Sequence, residues 1–240
     1  MNASRSEILS KIRLSLARPR REHHHGHNAV TNDIRKLFAS ASSHENLVQT
    51  FKQEFERVSG EFHHCSNGDA VVHSIKDLIT SAGSKHIAVS RHALCERLNV
   101  RERLAAVLPD AIFVDESIDG ENPFERERLQ KEMAQVQFSI TGVDYLMAET
   151  GTALLVSGKQ ASRQISLLPS IHLFLASPNQ IYPNMAEVFL ELQERHGNHL
   201  PGNALTLITG PSRTADIEKV LIKGVHGPTR LIGLMVELQD

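Results

Sequence analysis

The stretch KHIAVSRHALCERLNVRERLAAVLPDAIFVD, Lys85 to Asp115, decides the fold. It opens on the short apolar run "KHIAVS", which predicts a strand. It continues through "ALCERLNVRERLAAVL", which predicts a helix, and closes on a second β-branched run, "AIFVD". Strand, helix and strand in succession make the crossover unit that joins parallel strands. The pattern extends on both sides. "GDAVVHSIKDLITSAG" predicts a helix before it, and "NPFERERLQKEMAQV" a helix after it, with Asn122 as cap and Pro123 at the first helical position. Short buried strands alternating with helices predict a mainly parallel sheet covered on both faces.

The second half carries more strand. "YLMAETGTALLVSG" predicts two strands around a Thr-Gly turn, and "IHLFLAS" a central strand. "PNMAEVFLELQERHG" predicts a helix, "ALTLITG" a further buried strand, "TADIEKVLIKG" a helix, and "RLIGLMVEL" the strand that closes the sheet. A two-residue connection at Gly151 joins only antiparallel strands, so the sheet is expected to be mixed, mostly parallel.

Upstream, Ile8, Leu9, Ile12 and Leu16 repeat at helical spacing until Pro19, with Ser4 or Ser6 as cap. The His-rich run "PRREHHHGHNAVTND" then shows no apolar periodicity and reads as a flexible linker. The expected organisation is therefore a helix with linker over residues 1–31 and one α/β domain over 32–240. In "SHENLVQTFKQEFERVSG" Leu47, Phe51, Phe55 and Val58 mark a helix that Ser43 starts and Gly60 stops.

Composition excludes several classes. Hydrophobic residues make up 40% of the 240, enough for a large core, while aromatics are 5%, so that core must be aliphatic. A formal charge of −2 gives no bulk signal for nucleic acid or an anionic membrane. No run approaches the ~20 apolar residues of a membrane span, and a secretory h-region is missing, so a cytoplasmic location is expected. The two cysteines, Cys65 and Cys95, form no C-x-x-C motif and fall short of the four thiolates of a conventional cluster. They read as reduced, partly buried thiols. The histidines of "HHHGH" lie on the linker, and His64 and Cys65 of "HHC" point opposite ways along a strand, so no metal site is expected.

Two stretches could carry chemistry. In "LITGPSRTADIEKVLIKGVHGPTRL", Leu207 to Leu231, Gly210 and Pro211 turn the chain at the carboxyl end of a strand, the edge where α/β sheets bind ligands. Ser212, Arg213 and Thr214 would follow at a helix start, whose free N–H groups favour an anion, and Arg213 adds a fork suited to a carboxylate or phosphate. The plainer alternative is that Ser212 or Thr214 caps the helix and Asp216 complements its dipole. His226, between Gly224 and Gly227-Pro228, would lie at the other helix end, roughly 15 Å away. It reads as secondary, or as an exposed loop histidine. In "MAETGTALLVSG", Glu149 is flanked by apolar residues and followed by Thr150, Gly151 and Thr152. A carboxylate there is costly unless bonded or raised in pKa, and such carboxylates collect at working sites; the alternative is a turn whose Glu faces solvent.

"VDYLMAETGTALLVS", "RQISLLPSIHLFLAS" and "TGPSRTADIEKVLIKGVHGPTRL" together resemble the lactate-utilisation protein C group of the LUD domain family. The resemblance implies the fold of ribose-5-phosphate isomerase, glucosamine-6-phosphate deaminase and the CoA transferases. It also implies a part in oxidising L-lactate to pyruvate beside two partner proteins that carry iron–sulfur clusters. This chain is then expected to bind no cofactor alone and to take a small carboxylate or phosphate on Thr150, Gly151, Thr152, Gly210, Ser212, Arg213, Thr214 and His226, with a homo-oligomer as one option for its assembly. Analogy to the CoA transferases would make Glu149 a catalytic nucleophile; a purely organising role for the partners is the remaining alternative.

The cysteine arithmetic makes a first prediction. Purified alone, the chain should be colourless and hold no stoichiometric iron by elemental analysis; an iron–sulfur absorption band from a single chain would overturn this.

Overall fold

A computed structural model describes residues 9–11, 13, 44–114, 123–158, 162–197, 199, 201–214 and 222–238. The chain forms two units, Met1–Leu37 and Phe38–Asp240. In the first, residues 9–11 and 13 are helical. The predicted linker, the cap at Ser43 and the cap at Asn122 lie outside the described residues.

The second unit begins with helix α1, His44–Arg57, followed by β1, Glu61–Cys65, α2, Gly68–Ala82, and β2, His86–Val89. Next come α3, Ala93–Arg97, α4, Val100–Val107, β3, Ile112–Val114, α5, Pro123–Met133, and β4, Phe138–Gly142. The hairpin strands β5, Tyr145–Met147, and β6, Thr152–Ser157, lead to α6, Arg163–Leu167, and β7, Ile171–Ala176. The remainder comprises β8, Ile181–Tyr182, α7, Met185–His196, β9, Ala204–Ile208, β10, Arg213–Thr214, β11, Ile222–Lys223, and β12, Arg230–Val236.

Six strands form one sheet in the order β1-β12-β7-β4-β2-β3, and every pair in it is parallel. On one face Ile75 and Ile79 of α2, Leu94 of α3 and Leu104 of α4 meet Ile87, Ile140, Leu173 and Leu234. On the other, α5 and α6 cover Ala88 and Val114, while α1 covers Phe174, Leu231 and Met235. Helices thus lie on both faces, as the alternation predicted.

The antiparallel hairpin does not join this sheet. β5 and β6 belong to a separate four-stranded sheet, β8-β5-β6-β9. The expected single mixed sheet is therefore two sheets, with α1 between them. Leu146, Ala153 and Leu155 face α1, whereas Tyr145, Met147 and Leu154 face Val188 and Leu192 of α7. Period-two alternation explains this, since β5 and β6 are buried on both sides and need two covers.

Other expectations need correction. The helix predicted from Ala93 to Leu108 is two helices, broken where Asn99 adopts a left-handed φ of 48°; asparagine tolerates that region better than most residues. The hairpin turn spans Ala148 to Gly151 rather than two residues, because Met147 pairs directly with Thr152. β9 is an edge strand of the small sheet, half-buried rather than a core strand. β12 does not close the sheet but runs inside it, between β1 and β7. Its amino end is tied to the edge strand by Arg230, which donates to both Glu61 carboxylate oxygens at 2.6 and 2.7 Å and holds that carboxyl below its usual pKa. Helix α1 is followed by a left-handed residue at Ser59, φ 70°, not at Gly60. Gly60 has another task, because a Cβ there would lie 2.4 Å from the Phe55 ring.

An ionisable side chain sits in the centre of the parallel sheet. His172 of β7 is fully buried, shares a 2.9 Å hydrogen bond between its Nε2 and Thr141 Oγ1, and leaves Nδ1 without a partner. Burial lowers its pKa to about 3. Down to that pH it stays neutral in the fold, while in the unfolded chain it takes a proton below about pH 6.5. The unfolded state therefore binds more protons across this window, and stability falls as the pH drops through it. His172→Leu removes that contribution. Urea unfolding at stepped pH between about 6 and 4.5 should show the variant losing stability less steeply, by about 1.4 kcal/mol per pH unit. Parallel slopes would contradict the buried neutral imidazole.

Candidate functional site

The two sequence motifs converge on the last turn of α1. Gly151, φ 60°, closes the hairpin turn, and a Cβ on it would lie 2.3 Å from the Phe55 backbone nitrogen. Gly210, φ 86°, follows β9, and its Cβ would lie 2.6 Å from the Val58 carbonyl oxygen. Both positions need glycine twice over, for the left-handed backbone and for the close approach. Hydroxyls link the two turns: Thr150 and Thr152 meet at 2.7 Å, and Thr152 meets Thr209 at 2.7 Å. Thr152 is buried and Thr150 exposed.

Arg213 is exposed and donates from Nη2 to the Val58 carbonyl at 2.7 Å. It therefore caps the end of α1, where carbonyls lack helical partners and a cation is favoured. Ser212, Arg213 and Thr214 are not themselves helical. Arg213 and Thr214 form β10, paired antiparallel with Lys223 and Ile222 of β11; residues 215–221 of the predicted helix, Asp216 among them, lie outside the described residues. The two Gly-Pro turns consequently meet instead of standing a helix apart. Ser212 N–H donates to the Pro228 carbonyl at 2.8 Å, and Gly224 N–H to the Ser212 carbonyl at 3.0 Å. His226 is exposed on the connecting turn.

The position differs from the expected edge. Gly210 does follow the carboxyl end of β9, but the cluster sits beside the amino end of β12, since Thr229 N–H donates to Ser170, just before β7. Glu149 is exposed, with its backbone N–H donating to the Pro183 carbonyl at 2.9 Å. Its burial cost, which singled it out in the sequence, does not arise. The structure thus brings Thr150, Gly151, Thr152, Gly210 and Arg213 onto one helix end, with Ser212 in the adjoining turn.

The carboxyl edge of the parallel sheet holds residues the sequence reading passed over. His92 follows β2 and accepts the Leu94 N–H on Nδ1 at 3.2 Å. Asp144 follows β4 and accepts the Val156 N–H on Oδ2 at 2.7 Å. The two face each other, His92 Nε2 to Asp144 Oδ1, at 3.7 Å. Gly142 makes this possible, because a Cβ there would fall 1.9 Å from the imidazole Nδ1. The sequence signal is a polar residue just past each strand, but only the strand order places β2 beside β4. Cys65 and Cys95 are both buried thiols. Among the described residues no group of three His, Cys, Asp or Glu has metal-binding geometry, and no helix is long and apolar enough to cross a membrane.

Comparison with known proteins places these features in a family. The chain is 26% identical to Lactate utilization protein C of Oceanobacillus iheyensis over 98% of both chains. It is 40% identical to the protein of the same name from Halalkalibacterium halodurans over 115 residues, 47% of this chain and 50% of that one. Among solved structures, a DUF162 family protein from Deinococcus radiodurans superposes with a TM-score of 0.55 at 18% identity, covering 82% of this chain and 99% of that one, a likeness of fold. The LUD domain model matches residues 48–236, from the second turn of α1 to the end of β12, and the chain belongs to the LUD domain family.

Proposed function

We propose that this chain serves the oxidation of L-lactate to pyruvate as a subunit that binds a small carboxylate or phosphate and leaves the redox centres to two iron–sulfur partner proteins. The observation that carries this reading is the end-to-end relationship to proteins called Lactate utilization protein C. The thiol count supports the division of labour, since two cysteines cannot supply a conventional cluster. The ligand position is taken to be the turn cluster, with Arg213 as its cation and Thr150 and Ser212 as hydrogen-bonding neighbours. Its anion affinity rests on the guanidinium, because the adjoining helix end is a carbonyl end. The fold shared by ribose-5-phosphate isomerase and the CoA transferases belongs to this same reading.

A second reading, acyl or CoA transfer with Glu149 as nucleophile, is favoured by one observation: the carboxylate is exposed on a turn whose backbone is held by Pro183. A scaffold without a ligand is the outcome if neither site residue matters.

Three variants separate these readings. Arg213→Ala should lose the Val58 cap and about 1 kcal/mol of stability. Arg213→Lys keeps the charge but loses the planar fork, and should weaken ligand binding by roughly 1.5–3 kcal/mol. Glu149→Gln should leave binding intact, abolishing turnover only if the carboxylate is a nucleophile. The readout is lactate-dependent reduction by the three proteins reconstituted together. Wild-type behaviour of both Arg213→Lys and Glu149→Gln would leave the cluster as a purely structural clasp.

A further inference from the structure

The parallel sheet has a switch point between β2 and β4. After β2 the chain passes to α3 and α4 on one face, where Leu94 and Leu104 are buried. After β4 it passes to the opposite face, where Val143 and Leu146 are buried. Neighbouring strands whose connections diverge in this way leave a crevice outside their carboxyl ends. His92 and Asp144 stand one on each side of it.

Their hydrogen bonds fix what the pair offers. Since Nδ1 of His92 accepts the Leu94 N–H, the neutral imidazole carries its proton on Nε2, facing Asp144. Asp144 Oδ2 is taken by the Val156 N–H, which leaves Oδ1 facing His92. The separation of 3.7 Å is too long for a good hydrogen bond between them. It is suited to an oxygen seated beside both atoms at about 2.8 Å from each. The side chains are 18% and 29% exposed, so the position is reachable yet shielded. One donor next to one acceptor is the complement of a hydroxyl, which accepts from one and donates to the other. A carbonyl can use only the donor.

Val89, Ser90 and Arg91, which lead into His92, line a neighbouring cleft of roughly 430 Å³ together with Cys95, Glu96, Arg101 and Glu102. We propose that the His92–Asp144 pair binds the hydroxyl of a small 2-hydroxy acid. This rests on the reading that the chain serves lactate oxidation, and it places that substrate apart from the turn cluster. Asp144 and Glu149 stand at opposite ends of β5, about 10 Å apart for three residues of strand, so one lactate cannot touch both.

The test uses the full chain, with L-lactate and pyruvate as calorimetric probes. Asp144→Asn is the informative variant, because the Val156 N–H holds the amide oxygen on its side and turns the amide NH2 toward the ligand. The acceptor becomes a donor. L-lactate affinity should fall at least tenfold while pyruvate affinity stays within threefold, with the melting temperature checked alongside. His92→Ala, which removes the donor, should weaken both acids. Equal loss of both acids in Asp144→Asn, no loss of either, or a wild-type chain that binds neither would overturn the assignment. The reconstituted system separates the two readings. If the wild-type chain is required for lactate-dependent reduction but Asp144→Asn changes neither that nor binding, the site falls and the lactate role stands. If the wild-type chain is dispensable, the lactate role itself falls.

Discussion

Phe55 occupies a seat made of glycine. Its ring fills the space that a Cβ on Gly60 would take, crowds the position over Gly233 beside the Phe174 ring, and has Gly151 resting against its backbone. The ring stacks on Phe51 at 5.4 Å and meets Phe174 edge-on at 5.4 Å. Burying such a side chain contributes about 1.5–3 kcal/mol, but the larger consequence is geometric. It fixes α1 between the two sheets, where the helix covers the inner face of the small one. Layers that share a helix in this way must be built together, since without it the small sheet's inner face and the Phe174 side of the parallel sheet are uncovered.

The glycine-rich motifs follow from that constraint. Gly151 and Gly210 let two turns settle on the last turn of α1, and Arg213 completes the contact by taking up the Val58 carbonyl. A stretch as particular as T-G-P-S-R-T therefore has a structural task whatever it binds. This places the residues of the two Gly-Pro turns beside the amino end of β12 in the parallel sheet. The carboxyl edge, where the strands' connections diverge, carries the less conspicuous His92 and Asp144.

Much of the fold was legible because it is local. The β2 and β3 strands, α2, α5 and α7 all followed from apolar spacing within single segments, and the β5–β6 hairpin from the turn at Gly151. Assignment of strands to two sheets was not legible, because the departure of the chain at Val143 depends on α1 filling the gap. The ribbon at Arg213 and Lys223 was missed because "TADIEKVLIKG" has helical periodicity while its described ends pair with each other. Glu149 attracted notice through an assumed burial that the turn does not impose. His92 and Asp144 escaped notice because 51 intervening positions separate them in sequence, and only the order β4-β2 brings them to 3.7 Å.

Hydrogen–deuterium exchange of the α1 amides, compared between the wild-type chain and Gly151→Ala, tests the central role of this helix most directly. The added methyl group cannot be accommodated against the Phe55 backbone, so the hairpin turn must lift from α1. Residues 47–58 should then exchange faster together with the β5–β6 amides, while β2 and β3 at the far side of the parallel sheet keep their protection. Unchanged exchange in α1, or a rise confined to the turn itself, would contradict the account.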